Sequence, residues 1–200
     1  RENEHASSEQ RIIKASLAAV KGSARDQVGV RNLFSMFALV PEDTICPLDT
    51  MLLMYNAVYP PGKDGNVQVT LLHIRKWLKV LIDRSLVLGT VDKASLHDLV
   101  LDYTITLHTE AELRAKHWRV VEQFRASRTV DAAGVPGWVP GRVFQDTTTS
   151  YVLSEVQHHV TSALARREDH ESEDTPFLSW LCDVPHDAIN QATARVIGKE

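Results

Sequence analysis

The chain has 200 residues, 44% hydrophobic and 24% charged, which suits an ordinary globular protein with one or two cores. Its net charge of −4 and pI of about 6.1 exclude a global electrostatic attraction to nucleic acid or to an anionic membrane. Two cysteines, Cys46 and Cys182, are too few for a disulfide framework or a cysteine zinc site, so a reducing, cytoplasmic setting is expected. No apolar run approaches the length of a membrane span, and no signal peptide is expected. The opening "RENEHASS" lacks a methionine and reads as the start of a piece of a longer protein.

The periodicity predicts a mainly α chain in two groups. Ser7-x-x-Gln10 is a capping-box pattern, and Ile13, Leu17 and Val20 follow at helical spacing up to a stop at Gly22. This piece, residues 1–24, is expected to close a preceding helical domain. A second helix is predicted from Val28 to Leu39, with Val30, Leu33, Phe34 and Phe37 on one side. Pro41 and Pro47 break it, and Pro47 suits the first turn of a third helix, "PLDTMLLMYNAV". "YPPGKDGN" is turn chemistry.

Thr70 is placed to cap "LLHIRKWLKVLIDRSL". Ile74, Trp77, Leu78 and Leu81 form its apolar face, and Arg75, Lys76, Lys79 and Arg84 its polar face. "VLGTV" and "ASL" flank "DK" and read as a short β-hairpin, with the helix of "ASLHDLVLDY" directly after it. Three helices, a hairpin and a closing helix describe a winged-helix-like domain over residues 25–108.

A helical domain is predicted over residues 109–200. Thr109-x-x-Glu112 is another capping box, and Leu113, Val120, Val121 and Phe124 mark the buried side of its helix. A long Gly- and Pro-containing loop near 129–149 interrupts all periodicity. Ser150 then caps "YVLSEVQHHVTSALARR", and the acidic "EDHESEDT" precedes a final helical pair with Pro176 and Pro185 near its starts. That pair would suit the entry to an array of helical repeats.

Four features carry possible chemistry. In "ASLHDLVLDY", Ser95-x-x-Asp98 fits a capping box, with Leu96, Leu99, Val100, Tyr103 and Leu107 as core. His97 is left in the first turn, beside unsatisfied N–H groups and the positive end of the helix dipole. That end disfavours a second positive charge, so the ring is expected to be neutral and to donate one hydrogen bond. A phosphate contact and a plain surface histidine beside a cap both fit these residues. The basic face Arg75, Lys76 and Lys79 precedes the wing and fits either a DNA-contacting helix or a solvated face. The acidic balance of the chain favours the solvated face. For metal, His158 and His159 are adjacent and so point about 100° apart on a helix, with His108 and His117 upstream. No His-x-x-x-His pair or HExxH motif exists, and His159 falls near the apolar side with Val156 and Val160, as a core or interface histidine would. Hydrolytic and phosphate-loop motifs are missing: there is no G-x-S-x-G, and no G-x-x-x-x-G-K-[ST].

Two stretches together resemble a known family. "LFSMFALVPEDTICPLDTMLLMY" is similar to the segment of plant disease-resistance proteins that reads like "ALFPEDYEIP…LIRLW", and "LHDLVLDY" resembles their "MHD" motif. The stretch between, "IRKWLKVLIDRSLVLGTVDKASLHD", looks like the matching part of their winged-helix domain. The family is the NB-ARC group of STAND signalling ATPases, which includes the apoptotic protease-activating factors. The likeness covers residues 10–108 and weakens beyond them. Leu96 stands where the family has Met, and Tyr55 where many members have Trp.

The resemblance implies a regulatory role without catalysis by this chain. A P-loop module with Mg²⁺ and ADP or ATP would precede the winged helix in the same polypeptide, and a repeat sensor would follow. His97 would reach the ADP phosphates and hold the closed form, with Ser95, Leu96 and Asp98 supporting it. Exchange of ADP for ATP would release the winged helix and allow homo-oligomerisation.

Overall fold

The computed structural model describes residues 7–62, 68–126 and 147–164. Helix α1 (Ser8–Ala18) begins in the expected capping box: Ser7 Oγ accepts from the Gln10 amide and Gln10 Oε1 from the Ser7 amide, each at 3.3 Å. It ends at Ala18, ahead of Gly22. Helix α2 (Ala24–Met36) starts earlier than Val28, because the Ser23 hydroxyl accepts from the Asp26 amide at 3.1 Å. It tightens into a 3₁₀ turn, Phe37–Leu39. Pro47 stands one residue outside α3 (Leu48–Val58), in an extended conformation at the cap and not in the first turn. Helix α4 (Leu71–Asp83) is capped at Thr70, whose amide donates to His73 Nδ1 at 3.2 Å.

Strands β1 (Leu88–Thr90) and β2 (Lys93–Ser95) pair antiparallel, Leu88 opposite Ser95 and Thr90 opposite Lys93. Gly89 holds φ +83, and a Cβ there would run into the Lys93 carbonyl. Cys46 makes a further antiparallel bridge to Ala94, which ties the segment before α3 to the hairpin. Helix α5 (Asp98–Thr106) follows. The order α2, bridge, α3, α4, hairpin is a winged-helix order, so the described chain is mainly α with one small hairpin.

The apolar stripes read from the sequence meet at the centre. Leu33, Phe34 and Phe37 from α2 and its 3₁₀ turn, Met51 and Met54 from α3, and Ile74, Trp77, Leu78 and Leu81 from α4 are all buried. Helices α6 (Glu110–Ala126) and α7 (Thr147–Leu164) pack on each other and on α3. The Thr109 capping box of α6 is present, with the Glu112 carboxylate accepting from the Thr109 amide at 2.8 Å.

Apolar packing crosses the positions expected to part the domains. Val120, Val121 and Phe124 of α6 and Tyr151, Val152 and Val156 of α7 belong to the same continuous core as α2, α3 and α4, as do Ile13 and Leu17 of α1. Each such side chain gains about 1.5–3 kcal/mol on burial, so α1 and the α6–α7 pair are fastened to the α2–α4 core by apolar contact. Arg84 reinforces the α1 side by donating to the Ser16 and Ala19 carbonyls at 3.2 and 2.7 Å, on the otherwise unsatisfied end of α1. Helix α7 begins at Thr147, inside the predicted loop, so Ser150 is a residue of its first turn and not a cap. The rest of that loop, Cys182 and the final helical pair with Pro176 and Pro185 lie outside the described residues. Among the described residues no helix is long and apolar enough to cross a membrane.

Candidate functional site

His97 occupies the cap position of α5 itself, two places earlier in the helix than a Ser95 cap would put it. Its backbone is extended, its carbonyl accepts from Val100 and Leu101 at 2.8 and 3.0 Å, and its ring Nδ1 accepts from the Leu99 amide at 3.4 Å. An accepting Nδ1 places the ring proton on Nε2, so the exposed ring presents one N–H donor outward.

The Ser95–Asp98 capping box does not form. Ser95 is the last residue of β2 and its backbone is paired with Leu88, so the chain enters the helix two residues too late for Ser95 to cap it. Asp98 is exposed in the first turn, where its charge complements the positive helix end. Leu96, Val100 and Tyr103 pack against the core as expected, and Tyr103 faces Phe34. Leu99 and Leu107 do not, being 56% and 41% exposed. The one fully buried residue of α5 is Thr104, whose hydroxyl donates to the Leu101 carbonyl at 2.7 Å. His97 therefore stands at a helix start with an apolar neighbour, Leu99, open beside it.

The basic residues of α4 are engaged with carboxylates. Arg75 pairs with Asp92 in the hairpin turn at 3.0 Å, Lys79 with Asp83 at 3.4 Å, and Lys76 with Asp26 at 2.8 Å. Asp26 also accepts from the Trp77 indole N–H at 3.1 Å and from the Ser23 hydroxyl at 2.8 Å. The Lys76 hydrogen bond, then those of Trp77 and Ser23, hold its carboxyl well below the usual carboxylate range. Lys76 is thus part of the joint between α2 and α4, and the face facing the wing is balanced in charge.

The histidines gather where α6 meets α7. His117 and His159 place their Nδ1 atoms 3.0 Å apart, with His117 4% and His159 0% exposed. His159 Nε2 lies 3.4 Å from the Tyr151 hydroxyl, and that hydroxyl reaches the buried Cys46 thiol. His158 packs edge-on to both other rings. Burial, and then the neighbouring His158, push His117 down to about 3. Burial, then His117 and His158, lower His159 further below its usual value, and burial lowers His158. Burial raises both Cys46 and Tyr151. His159 is the core histidine its spacing predicted. His117, weighed in the sequence only as a metal ligand, shares the buried stripe of Val120, Val121 and Phe124. Among the described residues no three ligand-type side chains converge on a point that would hold a metal ion.

No protein-family model matches the chain, and neither the curated proteins nor the solved structures compared with it include a match.

Proposed function

We propose that this chain is the regulatory winged-helix segment of a STAND-type nucleotide-binding signalling protein, in the cytoplasm, and that it holds a closed ADP state through His97. The observation that carries the reading is the placement of His97: an outward Nε2–H donor at the positive end of a helix, directly after the wing. Exposed Leu99 beside it is apolar surface of the kind a preceding module of the same polypeptide would cover. Among the described residues, His97 offers one donor to a phosphate, and the sequence carries no phosphate-loop motif. ADP or ATP with Mg²⁺ therefore belongs to the P-loop module, and the residues here select between its states. A repeat sensor downstream and homo-oligomerisation on release complete the proposal.

Such a switch needs ADP to favour the closed state over the open one. A charge-assisted hydrogen bond from His97 contributes about 1.5–3 kcal/mol, which shifts the closed-to-open ratio by roughly one to two orders of magnitude. The DNA-binding alternative is weakened by the ion pairs that occupy Arg75, Lys76 and Lys79.

The test is made in the full-length protein with His97→Ala and His97→Asn. Asparagine is a good cap residue, so it keeps the helix start while removing the outward N–H of the ring. Both variants are expected to lose co-purifying ADP, read by chromatography of the extracted nucleotide, and to raise the oligomer fraction, read by light scattering. Unchanged ADP occupancy and an unchanged monomer fraction in the asparagine variant overturn the role of His97.

A further inference from the structure

The histidine cluster lies at the joint by which α7 is fastened to the fold, and nothing in the nucleotide reading uses it. Helix α7 carries Tyr151, His158 and His159; α6 carries His117; Cys46 reaches the cluster from the segment before α3; and His158 faces the Leu39 carbonyl of the 3₁₀ turn. The geometry points to a proton-operated latch: acid releases the α6–α7 pair from α3 and the 3₁₀ turn, while the winged-helix core stays folded.

The hydrogen-bond count sets the requirement. One neutral arrangement satisfies the row: His117 Nδ1–H donates to His159 Nδ1, and His159 Nε2–H donates to the Tyr151 hydroxyl. In the reverse direction His159 Nδ1–H donates to His117 Nδ1, and either way the contact holds a single proton between the two Nδ1 atoms. Protons on both Nδ1 atoms would set two N–H groups head to head at 3.0 Å. A proton on either ring alone would be a buried charge. Among the described residues, Glu155 of α7 acts on the cluster and favours charge on the half-buried His158. A charged His158 opposes charge on its two neighbours.

A second histidine guards the same joint. His108, between α5 and α6, places Nε2 3.0 Å from the Ser35 carbonyl at the end of α2, and its Nδ1 accepts from Lys116 of α6 at 2.9 Å. Accepting from an ammonium requires a bare Nδ1, so this contact also breaks on protonation. Burial lowers His108 on balance, against the Ser35 carbonyl, which favours its charge; Lys116 opposes that charge and Glu112 favours it. The Lys116 ammonium lies over the Tyr59 ring, so its displacement disturbs α3 as well.

The sign is fixed by the direction of these shifts. A released histidine titrates near its ordinary value of about 6.5, whereas the docked ones resist protonation. Above that value both states are neutral and the latch holds. Below it the released state gains protons that the docked state refuses, so release grows by up to about tenfold per pH unit for each histidine involved.

The test is amide hydrogen exchange on the full chain at pH 7.5, 6.5 and 5.5, corrected for the intrinsic pH dependence of exchange. Protection of Glu110–Ala126 and Thr147–Leu164 is expected to fall about tenfold or more between pH 6.5 and 5.5, with that of Leu71–Asp83 changing less than about twofold. In His117→Asn/His159→Asn, the pH dependence of the pair of helices should shrink. Constant protection in the wild type, equal loss in Leu71–Asp83, or an undiminished dependence in the variant each overturns the latch. Should the double variant not fold at pH 7.5, Glu155→Gln takes its place. It removes the carboxylate that favours charge on docked His158, so the docked state refuses that proton more strongly and release should begin at a higher pH; an unshifted or lowered profile overturns the proposal.

Discussion

The indole of Trp77 fills the space that a side chain at Gly29 would need. A Cβ on Gly29 would collide with the carbons of the six-membered ring, and the same indole donates its N–H to Asp26 one turn earlier on α2. The close approach of α2 to α4 at this crossing depends on that missing side chain. Gly29→Ala is therefore expected to destabilise the fold despite its better helix propensity, by about 1–3 kcal/mol or more from overpacking against a buried ring. Urea unfolding followed by tryptophan fluorescence measures this; a gain in stability would contradict the packing.

Asp26 ties the same crossing electrostatically and sets a pH dependence. Its carboxyl is held below its ordinary value of 3.8, so its contribution is fully present above that pH and is lost as the pH falls through the lower folded value. Asp26→Asn should lower the melting temperature at pH 7. It should also flatten the loss of stability below about pH 4 relative to wild type. Thermal melts from pH 7 to 2.5 compare the two slopes.

The exposed pairs Arg75–Asp92 and Lys79–Asp83 predict the opposite kind of result. Both partners of each pair are more than half exposed, and such pairs contribute about 0–1 kcal/mol. Arg75→Ala and Lys79→Ala should change stability by no more than about 0.5 kcal/mol. Fluorescence anisotropy with a labelled duplex at low salt should detect no binding by the wild type, and binding lost in these variants would restore the DNA-reading helix.

Cys46 is 1% exposed and its thiol is raised by burial. The thiolate is the reactive form, so a thiol reagent should leave Cys46 unmodified in the native protein. In a Cys182→Ser background the remaining thiol should react to completion only in denaturant. Rapid labelling of the folded protein would mean that the Cys46–Ala94 bridge opens readily.

Residue spacing alone carried the local elements. The stripe Ile74, Trp77, Leu78 and Leu81 on α4 and the boxes at Ser7 and Thr109 are set within one or two turns of helix, and all stand where their spacing put them. The errors fall where a distant partner competes with a local rule. Ser95 has the residue type and offset of a capping box, yet pairing with Leu88 claims its backbone, so His97 becomes the cap. Leu99 lies on a helical apolar stripe but faces outward, because α5 meets its neighbours through Val100, Tyr103 and Thr104.

The candidate phosphate-contacting residue was therefore legible from the chain, since a histidine at a helix start is a local fact. Its exact place, its tautomer and the apolar surface beside it were decided by how the hairpin hands the chain to α5. The histidine joint is tertiary altogether. His117 and His159 lie 42 positions apart, on two helices whose own periodicities show only that each faces inward. Burial of a common apolar face brings the two rings together, and water exclusion at that contact turns two ordinary histidines into groups that must stay neutral.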